Sequence, residues 1–183
     1  MEIDAAPLRA DRRAVTERDF LVPVHEPMDH VVFRGPVAVR AVLRNEGTRI
    51  RADIEAHARC EAPCDRCLQP VPFALDLHYT EEFVTPEQAE RDGIEGGETD
   101  DGEVRTVVYD HDRIELDSGL RQNLALAQPG KHLCREDCLG LCPRCGKNLN
   151  DGPCGCGDRG EPTDPRLLAL ADAMRRAKEK ESE

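Results

Sequence analysis

The chain has 183 residues, room for one domain with an appendage or for two small domains. A mean hydropathy of -0.59, 3% aromatic residues and no tryptophan predict a modest apolar core that metal clips would supplement. The net charge of -12 excludes a globally basic nucleic-acid footprint, no apolar run approaches the length of a membrane span, and the charged first 20 residues predict no secretory leader.

Residues 1–30 are interrupted by Pro7, Pro23 and Pro27, and Phe20-Leu21-Val22 is their clear apolar cluster, so a short strand or two is expected. From Val31 the hydrophobic period becomes two. Val37, Val39, Ala41 and Leu43 share one face, and Asn45-Glu46-Gly47 reads as a hairpin loop. Ile50, Ala52, Ile54, Ala56 and Ala58 alternate with polar residues, and Val71, Phe73, Leu75, Leu77 and Tyr79 do the same further on. Three half-buried antiparallel strands follow.

Ten acids and one base lie between Glu81 and Glu103, so nine of the twelve net negative charges fall there. With Pro86 and four glycines, residues 85–103 read as an acidic, solvated loop. Val104–Tyr109 is β-branched enough for a strand. Asp117 is expected to cap a short helix with Leu120, Leu124 and Ala127 on one face, stopped by Gln128-Pro129-Gly130. Asp164-Pro165 opens a final helix carrying Leu167, Leu170, Ala171 and Met174. The fold class is α+β: an antiparallel β-sheet and hairpin core, a short helix, a Cys-rich zinc-ribbon-like module and a C-terminal helix. The expected division is a β-rich domain over 1–128 and a Cys-rich module with its helix over 129–183.

Six of the nine cysteines fall within residues 134–156. Clustered thiols in a reducing cytosol, the expected compartment, point to a metal rather than to disulfides. Zinc asks for four ligands in a tetrahedron, and two thiolates separated by two residues supply half a site from one tight turn. Cys142-Pro143-Arg144-Cys145-Gly146 is such a turn, and Cys154-Gly155-Cys156 is a second half-site. The first expected zinc cage is therefore Cys142, Cys145, Cys154 and Cys156. A second ion is expected if Cys64 and Cys67 meet Cys134 and Cys138. Spacing leaves open whether Cys60 replaces one of these or stays a free thiol, and whether Cys134 or Cys138 joins the first cage. Arg66, Arg135, Arg144 and Lys147 would temper the thiolate charge as solvated residues, or contact RNA phosphate.

No catalytic constellation emerges. Two prolines and an alternating strand follow Cys64-Asp65-Arg66-Cys67, where a redox pair would open a helix. The six histidines are scattered, and no H-E-x-x-H occurs. His57 and His78 fall on polar strand faces, and no small-molecule site is evident.

The order of motifs is nevertheless specific: hairpin strands, Cys64-Asp65-Arg66-Cys67-Leu68, Ile114-Glu115-Leu116-Asp117 before a helix, Cys134-x3-Cys138-Leu139-Gly140-Leu141-Cys142-Pro143-x-Cys145-Gly146-x-Asn148-Leu149-Asn150, Cys154-x-Cys156 and Asp164-Pro165-Arg166-Leu167. This order resembles the bacterial YceD family, the large ribosomal RNA subunit accumulation proteins. The resemblance implies a small, cytoplasmic, non-catalytic factor in ribosome biogenesis. Its implied partners are large-subunit rRNA or its precursor, ribosomal proteins, or an rRNA-processing ribonuclease. The alternative from the residues alone is a zinc-ribbon regulator of transcription that binds DNA, which the net charge disfavours.

Overall fold

A strictly alternating strand presents one apolar face, and three in succession must bury it against something else. The computed structural model describes residues 1–94, 97–100 and 104–156. The expected helix from Asp164 lies outside them. The chain divides into two compact units, Met1–Cys138 and Leu139–Glu183.

In the first unit the elements are β1 (Glu2–Asp4), α1 (Ala6–Ala10), β2 (Val15–Val22), β3 (Val32–Phe33), β4 (Val37–Asn45), β5 (Ile50–Pro63), β6 (Pro70–Val84), α2 (Pro86–Asp92), β7 (Glu98–Asp100), β8 (Arg105–Val108), β9 (Arg113–Glu115) and α3 (Asp117–Leu126). Among the described residues, seven strands form one sheet in the order β2-β4-β5-β6-β8-β7, with β3 pairing β5. The three expected strands are β4, β5 and β6, all antiparallel. Strand β8 adds one parallel pairing, to β6. A separate two-stranded ribbon joins β1 to β9.

The register sets facing rows such as Val39–Ala56–Leu77 and Ala41–Ile54–Tyr79 on the apolar face. Leu8 of α1, Ile3 and Ile114 of the ribbon, and Leu120 and Leu124 of α3 pack over it. Each large side chain so buried contributes about 1.5–3 kcal/mol. The core is lean because β5 offers mainly alanines to it. Cys60 also faces it, 1% exposed, and burial pushes its thiol pKa up. It is a core residue.

Three expectations change. Residues 85–103 are not simply a solvated loop: they hold α2 and β7. The Thr85 hydroxyl accepts the Gln88 N–H, Pro86 begins the helix, and Gly93 ends it at φ 70°. Those start and stop signals outweigh the repulsion among the acids. Asp117 does not cap α3. Leu116 takes that position with no side-chain cap, and Ala127 lies outside the buried face.

The third change concerns Glu81, expected among solvated acids but 1% exposed on the core face opposite Ala52. Burial pushes its carboxyl pKa up, and the Arg105 guanidinium, donating at 2.6 Å, pulls it back. Arg105 also reaches Glu98 and the Ser118 hydroxyl, so one buried ion pair joins β6, β8, β7 and α3. Removing one partner of such a pair costs about 3–5 kcal/mol, because the other charge stays buried.

Gly119 of α3 packs directly on that carboxylate, and a Cβ there would collide with it. Helix propensity alone makes glycine-to-alanine stabilising by about 1 kcal/mol. Here the sign reverses: Gly119→Ala is expected to cost about 1–3 kcal/mol through overpacking. Urea denaturation checks it, and a higher midpoint for the variant would refute the packing argument.

Candidate metal centres

The β5–β6 hairpin does not end in an ordinary turn. The chain passes from Pro63 to Pro70 through Cys64-Asp65-Arg66-Cys67-Leu68-Gln69, closed by Cys64 N–H to the Gln69 carbonyl at 2.8 Å and Leu68 N–H to the Cys64 carbonyl at 2.9 Å. Both prolines start or end strands, where a missing N–H is tolerated. The second unit builds the same knuckle. Cys142 N–H donates to the Lys147 carbonyl at 2.8 Å and Gly146 N–H to the Cys142 carbonyl at 2.9 Å. Residue five of each knuckle is left-handed: Gly146 at φ 70°, Leu68 at φ 62°.

Each knuckle brings two sulfurs together, and a later segment brings two more. In the first unit, Asp65 N–H donates to the His132 carbonyl at 2.8 Å, and His132 N–H returns to the Asp65 carboxylate at 2.7 Å. The His132 ring is buried, 4.9 Å from Phe73 and 5.4 Å from His30 between ring centroids. Arg66 donates to the carbonyls of Glu136 at 3.2 Å and Cys138 at 2.8 Å. These contacts hold residues 131–138 on the hairpin tip, within the first unit. Cys64, Cys67, Cys134 and Cys138 are thereby gathered with every sulfur within 4.8 Å of the others.

The second group gathers Cys142, Cys145, Cys154 and Cys156 within the same limit. A short 3-10 turn, Leu149–Asp151, returns the chain between the two pairs. The Asn148 side chain caps it by accepting the Asn150 N–H at 3.0 Å, and the Asn150 side chain accepts the Leu139 N–H at 2.9 Å. Lys147 donates to the Pro153 carbonyl at 3.1 Å. Asn148, Asn150 and Lys147 therefore build the module, and Arg66 is a structural donor rather than a solvated countercharge. Only the acceptor-rich return segment, not the C-x-x-C spacing, could have signalled this.

A cation with four thiolates at ~2.3 Å in a tetrahedron sets its sulfurs about 3.8 Å apart. The separations are 3.9 Å for Cys64–Cys138, 3.6 Å for Cys67–Cys134 and 3.3 Å for Cys142–Cys154. Both donor sets could hold a metal ion. Burial pushes the Cys64 thiol up, but the N–H groups of Cys134, Cys67 and Arg66 outweigh it and lower the pKa to about 6. The N–H groups of Cys145 and Arg144, with the Cys154 thiol, lower Cys142 to about 6 as well. In each group another thiol resists: burial and its sulfur neighbours raise Cys134 to about 12, and neighbouring sulfurs with burial raise Cys156 to about 12. Gathered thiols repel one another's charge, and a bivalent cation is what would relieve them.

Elsewhere residues of β2, β4, β5 and β6 line an open hollow of about 910 Å³. His57 there meets Asp76 at 2.5 Å. No serine, threonine or cysteine lines that hollow.

Leu68 tests the knuckle geometry. A left-handed conformation costs an L-residue about 1–2 kcal/mol, and Leu68 is 64% exposed, so it recovers little by burial. After the greater unfolded-state freedom of glycine is subtracted, Leu68→Gly is expected to stabilise by about 0.5–1 kcal/mol. Thermal melting of metal-loaded protein reads the change, and a lower melting temperature would show that Leu68 makes contacts worth more than its strain.

Comparison with known proteins adds the family. The family model described as large ribosomal RNA subunit accumulation protein YceD matches residues 52–172. That span runs from near the start of β5 through both cysteine groups. An uncharacterized protein of Mycobacterium bovis is 33% identical over 71% of this chain, and two of Mycobacterium tuberculosis match to the same degree. The chain spans 57% of the length of these curated relatives. No solved structure matches significantly. No helix among the described residues is long and apolar enough to cross a membrane. The order of strands, knuckles and cysteines, together with this match, places the chain in the YceD family.

Proposed function

We propose that this protein supports accumulation of large-subunit rRNA as an accessory factor of ribosome biogenesis in the cytoplasm, acting by binding RNA or protein. YceD proteins are non-catalytic accessory factors. The observation that carries the reading is the closed character of both cysteine groups. Each offers four protein ligands, which leaves a tetrahedral ion no open position for substrate. The metal proposed is zinc, one ion held by Cys142, Cys145, Cys154 and Cys156 and a second by Cys64, Cys67, Cys134 and Cys138. Zinc bound there supplies cross-links and cancels thiolate repulsion.

The two units would depend on zinc differently. Among residues 139–156 only Gly140 and Cys142 are buried, so sulfur and metal stand in for an apolar core. The first unit has its own core under the sheet. Elemental analysis is expected to find two zinc ions per chain, and the C64S/C67S and C142S/C145S pairs should each lose one. A strong chelator should abolish hydrogen-exchange protection across 139–156 while β4–β6 stay protected. Zinc-free protein with full protection in 139–156 would refute the structural role.

In cells, deleting the gene is expected to lower large-subunit rRNA relative to small-subunit rRNA, and the wild-type chain should restore it. Quantified rRNA and ribosomal-particle profiles provide the measurement. An unchanged ratio would count decisively against the ribosomal role.

A further inference from the structure

The end of the β5–β6 hairpin remote from Cys64 and Cys67 borders a cavity of about 320 Å³. Strand β5 has 14 residues, so the two ends lie roughly 40 Å apart along it. Four arginines line the cavity: Arg9 from α1, Arg12 just after it, Arg49 from the β4–β5 turn and Arg91 from α2. No aspartate or glutamate lines it. In a chain of net charge -12, this concentration of one sign is unusual.

The four are not equivalent. Arg9 is paired with Asp112, and Arg49 with Glu82 and, at 3.3 Å, with Asp92. Those carboxylates lie outside the lining and steady two guanidinium groups, each of which has five N–H donors and keeps some to spare. Arg12 and Arg91 have no ion-pair partner at contact distance among the described residues, and Glu87 acts on Arg91 only from beyond that distance. Tyr109 completes the wall. It is 6% exposed, and its hydroxyl has no hydrogen-bond partner among the described residues. Burial pushes that phenol up, keeping it an O–H donor.

Donors and positive charge with no carboxylate in the lining suit an oxyanion, and guanidinium groups converging from separate elements suit the several oxygens of a phosphate. A duplex needs a broad basic surface, which a net charge of -12 disfavours, whereas a single strand can present one phosphate to a recess. We propose that this cavity binds a backbone phosphate of single-stranded RNA, with Arg12 and Arg91 supplying charge and Arg9, Arg49 and Tyr109 supplying hydrogen-bond donors. The choice of RNA rests on the ribosomal role above.

The test uses the full metal-loaded chain and a labelled, unstructured RNA of about 12 nucleotides, with anisotropy followed over a potassium chloride series. R12A/R91A leaves no buried carboxylate orphaned. It is expected to weaken binding at least about tenfold and to flatten the slope of log K against log salt by about 1.4, two single-strand contacts. R12K/R91K should keep the wild-type slope. Wild-type affinity and slope in the alanine pair would overturn the proposal, as would a lysine pair as flat as the alanine pair. Inorganic phosphate that binds the chain when the RNA does not would reassign the cavity to a small oxyanion and overturn it too. If the chain binds no RNA but gene deletion still lowers large-subunit rRNA, the cavity assignment falls and the ribosomal role stands. If deletion has no effect either, both fall.

Discussion

One antiparallel register governs the first unit: Ile50 to Pro63 of β5 against Phe83 to Pro70 of β6. Because the side-chain period is two, slipping it by one residue would send the whole apolar set to solvent. The same slip would break the knuckle at one end, since Cys64 and Gln69 close it directly beyond the last pair. At the other end that register sets Glu81 opposite Ala52, on the strand that also pairs with Arg105 of β8. The register thus links a hydrophobic face and a sulfur cluster, and an error in one is penalised by both.

The alanines of β5 explain why such redundancy is needed. Ala52, Ala56, Ala58 and Ala62 each bury little area, so the apolar contribution per residue of sheet is small. Polar and sulfur interactions take over where the side chains are short. The Arg66 and Asp65 contacts with residues 131–138 work over carbonyls and N–H groups rather than methyl groups. Among residues 139–156 this substitution goes furthest, with asparagine caps and thiols prominent.

Much of this was readable from residues. The alternation of β4, β5 and β6 is explicit because each has one wet face, and the cysteine spacings announce two half-sites apiece. Composition misled where it averaged over position. The acid run hid Thr85-Pro86-Glu87, a compact helix-start signal, and it hid Glu81, whose place in the alternation after Leu75, Leu77 and Tyr79 already marked it as inward-facing. Arg66 looked like a countercharge because sequence shows its charge and not the carbonyls it reaches. The arginine cavity was invisible, since Arg9, Arg12, Arg49 and Arg91 are far apart along the chain and only the packing of α1 and α2 near the hairpin base unites them.

The parallel pairing of β8 with β6 orders events in time. β4, β5 and β6 follow one another through short local connections, while β8 must first close a loop of roughly twenty residues. Until it arrives, Glu81 lies among apolar neighbours without its guanidinium. The meander can therefore assemble before β8 pairs with β6 and brings Arg105 to Glu81.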